Sequence, residues 1–493
     1  MQGNPNARAA SPGARQSTAS GSAEDGTQWL THGPSTVGQH GPAAACLTCR
    51  QHRRPRRTRL AAPGPCYKLA PMAGKHLTVR TSGRDRPAFA AKRSTVLVKP
   101  ISARCNLACR YCFYRDRLGD PYAGEPQRLM TSPVLASLIA QHMRQAGPVA
   151  TFAWQGGEPT LAGLAFFRQA VAFQSRYGRQ GQAVANALQT NATLLDREWA
   201  RLLERYRFLV GVSLDGPRQF HDPWRPTSQG APSYDDVMRG ITLLRTFGVA
   251  INVLAVVHAG NCSRPEERLA FFAENRLLHL QFIPAVDWLE DGSLAPPSLH
   301  PQAWAEFLCG LFDAWYNDGR AMLSIRLFDN LVSLAAGLPA ETCEMLPLCD
   351  QYYVVEYNGD VYPCDFFVSA PNRLGNLVSQ PLSDILNSDQ ARRFASAKGD
   401  LPAACSGCRW LPICQGGCPR FRRPAPVPGS PEMAPPSPEP LACARASGPI
   451  SASPKTMYLC GAMQLFLDHA WDRIQRLARN AIPMAGRGVR GGE

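Results

Sequence analysis

The sequence has no uninterrupted apolar run near the ~20 residues that a membrane-spanning helix needs. Its N-terminus also lacks an apolar core of roughly 7–15 residues, which is typical of a secretory signal. Acidic residues are scarce in residues 1–94, which contain fifteen Lys or Arg and three Asp or Glu. The two missing apolar segments predict a soluble, cytoplasmic protein with no membrane partner.

Residues 1–94 carry most of the net charge of +15. They are rich in Pro, Gly, Ser, Ala and Arg, so they bury too little surface to offset the entropy of ordering. A basic tail can bind nucleic acid or an anionic membrane, but this composition favours a disordered extension with no nucleic-acid partner. Cys46 and Cys49 form a lone CxxC, too few ligands to close a tetrahedral site. Met72 is an alternative start, so translation of residues 1–71 is left open.

From residue 95, short apolar runs alternate with amphipathic stretches of helix length. Six β-then-α units in succession predict a parallel sheet with right-handed crossovers. Six units are fewer than the eight of a complete barrel. We therefore expect an α/β fold with a partial (β/α)6 barrel over residues 95–320 and its chemistry at the carboxyl ends of the strands. The predicted strands are 95–102, 149–155, 183–190, 208–215, 250–258 and 280–286.

The predicted helices of the barrel are 131–145, 161–177, 194–205 and 234–247. Thr131 and Ser233 are the expected N-caps, and Gly147 and Gly248 the expected stops. After a further helix at 304–317, cysteine, glycine and proline become dense, and such a segment needs bound groups to hold it together. We expect a cysteine-rich domain over residues 321–480, with a Pro-rich insertion at 421–456 and an amphipathic helix at 463–477. Residues 481–493 are expected to be flexible.

The sequence contains 17 cysteines. In a reducing cytosol this number favours metal ligation or redox chemistry over disulfides. Cys105, Cys109 and Cys112 form CxxxCxxC directly after the first predicted strand. Three thiolates on one loop can bind three irons of a [4Fe–4S] cubane and leave the fourth iron open to a substrate or cofactor. The alternatives are a zinc site and a chance spacing.

Eight further cysteines have the spacing of two clusters. Eight thiolates fill two [4Fe–4S] cubanes with no open iron, whereas a zinc ribbon needs four ligands. The sequence therefore favours three [4Fe–4S] clusters, or about twelve irons per chain. Cys262 and Cys309 are interpreted as ordinary buried thiols. The eight cysteines are Cys343, Cys349, Cys364, Cys405, Cys408, Cys414, Cys418 and Cys460.

The segment ISARCNLACRYCFY, with Tyr111 in the loop and Phe113 after the last cysteine, resembles the signature of the radical SAM superfamily. WQGGEPT, at the end of the second predicted strand, matches the same family. The resemblance implies that the open iron binds S-adenosylmethionine, whose reductive cleavage yields a 5′-deoxyadenosyl radical. The cofactor-binding residues that it implies are Tyr111, Gly156, Gly157 and Glu158, then Ser213 and Arg225 for the ribose and carboxylate, and Ile283 for adenine.

Three of these positions have further interpretations. Glu158 can bind an ammonium group or fix a backbone turn. Arg225 suits a carboxylate through two parallel hydrogen bonds, although a surface salt bridge is the alternative. Asn191, in QTNAT, is expected to face the same site from the end of the third predicted strand.

The segments QTNATLLDREW, VEYNGDVYPCDFF and CSGCRWLPICQGGCPR resemble the anaerobic sulfatase-maturating enzymes, which carry a SPASM auxiliary-cluster domain. The resemblance covers residues 95–480. Cys443 competes for the last ligand position, but MYLCGAM favours Cys460. The implied ligands interleave: Cys343, Cys349, Cys364 and Cys418 for the first auxiliary cluster, and Cys405, Cys408, Cys414 and Cys460 for the second.

The resemblance implies oxidation of a cysteine or serine of an unfolded sulfatase polypeptide to Cα-formylglycine. Asp365 would be the base that takes the thiol or hydroxyl proton, and its alternative role is to hydrogen-bond the cluster loop. A donor such as a flavodoxin or ferredoxin would reduce the enzyme, which we expect to be a monomer. The other candidates are a SPASM-type maturase of a ribosomally made peptide, forming a thioether or altering a stereocentre, a non-catalytic iron–sulfur electron carrier, and a zinc-stabilised nucleic-acid-binding protein.

Overall fold

A ten-stranded sheet organises the part of the chain that the structure describes. The structure is a computed structural model, and it describes residues 94–115, 119–125, 128–289, 292–321, 323–422 and 456–485. All of these residues belong to one compact unit. Nearly all of the predicted basic tail and of the Pro-rich insertion, including Cys443, lies outside the described residues, as do residues 486–493.

The six predicted strands are all present and are neighbours in chain order. Four short strands of two to four residues, which the sequence analysis missed, extend the sheet on both sides. The strands are β1 (Thr95–Lys99), β2 (Val149–Trp154), β3 (Ala183–Thr190), β4 (Leu209–Ser213), β5 (Ala250–Val257), β6 (His279–Pro284), β7 (Ser324–Ile325), β8 (Tyr353–Glu356), β9 (Asp360–Tyr362) and β10 (Gly375–Asn376).

The sheet runs in the order β10-β9-β8-β1-β2-β3-β4-β5-β6-β7 without closing, so the open, partial barrel is confirmed. Strands β1 to β7 are parallel. Strand β8 pairs with β1 in parallel, and Lys99 stands opposite Glu356. Strands β9 and β10 then add in antiparallel fashion. The cysteine-rich part of the chain thus continues the sheet of the barrel, and the boundary near residue 320 stays a prediction.

Helices follow the barrel strands in the expected alternation. Within the described part of the chain, no helix is long and apolar enough to span a bilayer. The helices are α1 (Ser132–Gln145), α2 (Leu164–Tyr177), α3 (Arg197–Arg205), α4 (Arg218–His221), α5 (Tyr234–Thr246), α6 (Pro265–Glu274), α7 (Pro301–Tyr316), α8 (Arg326–Ala335), α9 (Leu382–Leu386), α10 (Asp389–Ala397), α11 (Ala403–Ser406), α12 (Leu411–Cys414) and α13 (Cys460–Ala485).

The helix ends only partly follow the predictions. Thr131 and Ser233 occupy N-cap positions, but neither side chain makes a capping hydrogen bond. The Ser233 hydroxyl instead donates to the Arg225 carbonyl oxygen at 2.6 Å. Gly248 follows α5 with φ of +71°, a left-handed conformation that suits glycine after a helix. Helix α13 continues to Ala485, so the first residues of the predicted flexible C-terminus are helical.

Helix α13 is fixed to the barrel by an aromatic cluster. The ring centroids of Phe466 and Phe312 on α7 are 5.9 Å apart, and those of Phe466 and Phe328 on α8 are 5.6 Å apart. All three side chains are fully buried. Because α13 begins at Cys460, this cluster also fixes the position of that cysteine relative to the barrel.

We expect Phe466→Ala to lower the free energy of unfolding by about 3–5 kcal/mol, because the substitution leaves a cavity between three helices. Chemical denaturation of the anaerobically purified protein measures this difference. Arg476→Ala, on an exposed position of the same helix, is the matched control and should change stability little. Equal stabilities of the two variants would contradict the packing role of Phe466.

Candidate functional site

The CxxxCxxC loop leaves the sheet at the carboxyl end of β1, where the barrel predicts chemistry. Its backbone is fixed by the segment after α4: the Ala108 N–H donates to the Pro226 carbonyl at 2.8 Å, and the Arg110 N–H to that of Trp224 at 2.9 Å. Cys105, Cys109 and Cys112 all lie on this loop and are partly exposed.

The three thiols influence one another. Burial raises the pKa of Cys105 to about 12, and the thiols of Cys109 and Cys112 add to that rise. Within the residues that the structure describes, no three His, Cys, Asp or Glu side chains are close enough to hold a single metal ion. A [4Fe–4S] cubane does not need three ligands on one metal ion, because each of its thiolates binds a separate iron. Three soft thiols on one loop fit that requirement.

The Gly-Gly-Glu turn after β2 packs directly on the backbone of the cysteine loop. The Gly157 N–H donates to the Ser102 carbonyl at 2.7 Å, and the Glu158 N–H to the Arg104 carbonyl at 2.8 Å. A Cβ on Gly157 would lie 1.9 Å from the Arg104 oxygen, and one on Gly156, where φ is +130°, 2.6 Å from the Ser102 oxygen. The glycines are therefore required by this close backbone approach.

Glu158 lies fully buried behind the turn. Its Oε1 accepts hydrogen bonds from the hydroxyls of Thr160 and Thr190, each at 2.7 Å, and its Oε2 accepts one from the Asn191 N–H at 2.7 Å. Burial raises the pKa of this carboxyl, and the hydrogen bonds oppose the rise. The carboxyl group thus joins the ends of β2 and β3, which favours the turn-fixing role.

Asn191 lies beside Cys105, as the sequence predicts for a residue that faces the site. Its Nδ2 is 3.8 Å from the Cys105 sulfur and donates to Asn106 Oδ1 at 2.9 Å. The Leu107 N–H also points at the Cys105 sulfur, at 3.3 Å. Two N–H donors, one from the cysteine loop and one from the end of β3, therefore lie near this thiol.

Arg225 forms a buried, two-pronged ion pair with Asp215, a residue that the sequence analysis did not single out. Arg225 Nε and Nη2 donate to the two Asp215 oxygens at 3.0 and 2.9 Å. Tyr111 also donates its hydroxyl to Asp215. Asp215 accepts the Val256 N–H at 2.9 Å, so it connects the ends of β4 and β5. Burial raises the Asp215 pKa, but the Arg225 charge and these hydrogen bonds bring that pKa below its usual value.

Ser213 and Ile283 lie on β4 and β6 near the same carboxyl edge of the sheet. The Ser213 hydroxyl accepts a hydrogen bond from Gln189 Nε2 at 3.0 Å. Ile283 pairs with Val256 on β5 and is partly buried. The barrel thus brings the ends of five strands, from β2 to β6, around one edge.

Asp365 lies in a buried polar group that the sequence analysis missed. The Lys99 ammonium is 2.5 Å from Asp365 Oδ1 and 3.5 Å from Glu356 Oε1, and all three side chains are at most 4% exposed. Tyr114 donates its hydroxyl to Asp365 Oδ2 at 2.5 Å, and Gln155 Nε2 donates to that hydroxyl at 3.1 Å. Three features of the sequence could have indicated this group: Lys99 at the end of an apolar strand, Tyr114 in CFY and Gln155 in WQGGEP.

The first auxiliary set, Cys343, Cys349, Cys364 and Cys418, is brought together from distant parts of the chain. Burial raises the pKa of Cys418, and the thiols of Cys364 and Cys343 raise it further. Burial likewise raises the pKa of Cys349, and Cys343 contributes. The Tyr352 hydroxyl lies 3.3 Å from the Cys364 sulfur. Cys364 directly precedes Asp365, so this set adjoins the buried polar group.

The second auxiliary set comprises Cys405, Cys408, Cys414 and Cys460. Burial raises the pKa of Cys460 to about 11, with the other three thiols adding to the rise. Gln464 Nε2, one turn into α13, lies 3.6 Å from both the Cys408 and Cys460 sulfurs. Cys460 therefore lies beside the other three thiols of this set. Of the two remaining described cysteines, Cys309 is buried in α7 and Cys262 is partly buried in a loop.

Two family profiles match the chain. The profile of the radical SAM superfamily matches residues 100–271, and that of an iron–sulfur cluster-binding domain, SPASM, matches residues 347–409. The first match includes the CxxxCxxC loop and the Gly-Gly-Glu turn. The second includes Cys349, Cys364, Cys405 and Cys408.

Curated relatives and a solved structure match more of the chain. The serine-type anaerobic sulfatase-maturating enzyme of Bacteroides thetaiotaomicron is 37% identical over 349 residues, which is 67% of this chain and 84% of the relative. The cysteine-type enzyme of Clostridium perfringens is 36% identical over 331 residues, 66% of this chain and 89% of the relative. The structure of native anSMEcpe with bound AdoMet and Cp18Cys peptide is 32% identical with a TM-score of 0.68, covering 78% of this chain and 99% of that one.

We expect Gly157→Ala to displace the cysteine loop, because the added methyl group would overlap the Arg104 carbonyl. Iron per chain should fall from about twelve to about eight, since the eight auxiliary cysteines are elsewhere. Iron analysis and EPR of anaerobically purified protein measure the change. Gly147→Ala is the matched control, because nothing lies within 4 Å of the added Cβ there. Full iron content in Gly157→Ala would refute the required backbone contact.

Proposed function

The chain belongs to the anaerobic sulfatase-maturating enzymes, and we propose that it oxidises a cysteine or serine of a sulfatase polypeptide to Cα-formylglycine. It is a radical SAM oxidoreductase with an iron–sulfur SPASM domain. The observation that carries the proposal is the buried polar group of Asp365, which directly follows Cys364 and contacts Lys99 at the end of β1 and Tyr114 just after the CxxxCxxC loop.

We propose three [4Fe–4S] clusters and one S-adenosylmethionine. Cys105, Cys109 and Cys112 would hold the cluster with an open iron, and the two auxiliary sets would each close one further cluster. When bound, these groups supply the 5′-deoxyadenosyl radical and one-electron transfer. The grouping of the thiols supports this assignment, because in each proposed set the pKa of one thiol is raised by other thiols of that set.

The proposed contacts with S-adenosylmethionine come from residues around the cysteine loop. Asp215 already binds Nε and Nη2 of Arg225, so a second carboxylate would chiefly meet Nη1. Glu158 would act through the turn, since both its oxygens accept hydrogen bonds from the protein. The proposed residues are Tyr111, Gly156, Gly157, Glu158, Ser213, Arg225 and Ile283.

Asp365 is the proposed proton acceptor. The two-electron oxidation would remove one hydrogen atom from Cβ, one further electron, and the proton of the thiol or hydroxyl group. Serine would give the aldehyde directly, whereas cysteine would give a thioaldehyde that water converts to the aldehyde with release of hydrogen sulfide. The Lys99 ammonium lies 2.5 Å from Oδ1, and the Tyr114 hydroxyl donates a hydrogen bond to Oδ2, so both oxygens have fixed partners. Their positions also fix the carboxylate plane, which restricts the direction from which the substrate proton arrives.

The proposed partners follow from this chemistry. The substrate is a sulfatase polypeptide in an unfolded state, because the target side chain has to reach Asp365. A flavodoxin or ferredoxin would supply reducing electrons to a monomeric enzyme. The cytoplasm is the proposed location, since its reducing conditions keep thiols available as ligands.

The deciding experiment is anaerobic incubation with S-adenosylmethionine, a reductant and two sulfatase-motif peptides, one with cysteine and one with serine at the target. Mass spectrometry should show 5′-deoxyadenosine and a product that reacts with a hydrazide, as an aldehyde does. A thioether or an inverted stereocentre in a short precursor peptide, with no aldehyde from either sulfatase peptide, would support the rival maturase instead. Colourless protein without iron would exclude both.

Asp365→Asn should suppress aldehyde formation by about 10²–10⁴-fold, the usual contribution of a positioned general base. Iron content and the EPR signals should stay unchanged, because Asp365 is not a proposed ligand. Glu356→Gln is the matched control: it removes the other carboxylate beside Lys99 and should lose far less activity. Equal activities of wild type and Asp365→Asn would reject Asp365 as the base.

A further inference from the structure

Lys398 is a buried cation beside the first auxiliary set. It directly follows α10, and its side chain is almost completely buried, with the whole residue 1% exposed. Its ammonium donates to the Cys343 carbonyl at 2.8 Å and to the Glu344 carbonyl at 2.9 Å. These two hydrogen bonds fix the charge on the short turn that carries the first cysteine of the set.

Three thiols of the first set act on this ammonium. Burial lowers the pKa of Lys398, and Cys349, Cys343 and Cys418 oppose that change. The loop is also fixed from the other side, because Arg422 donates to the Lys398 carbonyl at 2.6 Å. Hydrogen bonds therefore fix both the side chain and the backbone of Lys398.

The second auxiliary set has different surroundings. The groups that shift the pKa of Cys460 are its burial and the thiols of Cys414, Cys405 and Cys408. Gln464, which contacts two of these sulfurs, is neutral. The Arg422 guanidinium acts on Cys405 of the second set and also on Cys349 of the first. The difference between the sets is therefore the buried Lys398 ammonium, which is fixed on the turn that carries Cys343.

A fixed positive charge favours the reduced form of an iron–sulfur cluster. Reduction adds one electron, and cluster potentials depend on net charge, hydrogen bonding and solvent exposure. Between buried charges the interaction is screened less than at the protein surface. An ammonium beside the thiolates of one cluster should therefore raise the potential of that cluster selectively.

We propose that Lys398 is a positioning residue that raises the reduction potential of the cluster held by the first auxiliary set above that of the second. The inference rests on the proposed function. In that reaction the substrate would give one electron to the group held by the first auxiliary set, which adjoins Asp365, and its proton to Asp365. Lys398 would thus direct the electron to the cluster adjacent to the proton acceptor.

The test is a redox titration, followed by EPR, of the full chain purified anaerobically with its clusters. Lys398→Gln and Lys398→Met remove the charge. In both, the ratio of reduced to oxidised first auxiliary cluster at a given potential should fall at least tenfold, which is about 59 mV for a one-electron couple. The other two potentials should not move. Lys398→Arg keeps the charge and should retain the wild-type potential.

Arg393→Gln is the matched control, since it removes an exposed cation from α10, the helix that Lys398 follows, and should leave all three potentials unchanged. Wild-type potentials in both neutral variants would overturn the proposal. Loss of the cluster from both would also reject it, because the ammonium would then only hold the loop. A wild-type chain without auxiliary-cluster signals would instead contradict the proposed function, so the two failures are distinguishable.

Discussion

The parallel pairing of β1 with β8 is the constraint on which the site depends. Strand β1 leads into the CxxxCxxC loop, and β8 leads through β9 to Cys364 and Asp365. Lys99, the last residue of β1, stands opposite Glu356 in this pair, and its ammonium contacts Asp365. A register slip of one residue would turn Lys99 to the other face and separate it from Asp365. The CxxxCxxC loop, which follows Lys99, and the candidate base, which contacts Lys99, are therefore held together through this strand pair.

Buried charges hold the site together at a cost in desolvation. The Arg225–Asp215 and Lys99–Asp365 pairs are both almost completely removed from solvent, and such pairs are weak evidence for stability. Their value lies in position: Asp215 connects the ends of two strands while it orients Arg225, and Lys99 orients Asp365. Each pair joins segments that are distant in the chain. If these four positions served stability alone, apolar side chains would serve it without the cost of removing charges from water.

The fold was predictable from the sequence where apolar periodicity is strong. Strand β3 has its predicted bounds, and the other five barrel strands lie close to theirs. Strands β7 to β10 have two to four residues, too few for a periodic pattern, and tertiary pairing decides them. Ser233 illustrates a second limit, because its hydroxyl bonds the Arg225 carbonyl rather than capping α5. Lys99 illustrates a third, since its carboxylate partners lie far along the chain.

The two auxiliary sets interleave along the chain, and this order has a consequence for folding. Cys405, Cys408 and Cys414 of the second set lie between Cys364 and Cys418 of the first, and Cys460 comes last. Each set therefore spans part of the other, so neither can form on a local segment. Cluster binding and folding of the cysteine-rich part should be coupled, as they are in small metal-stabilised domains. The long helix α13 completes this arrangement, because its packing on α7 holds the last cysteine where the other three can meet it.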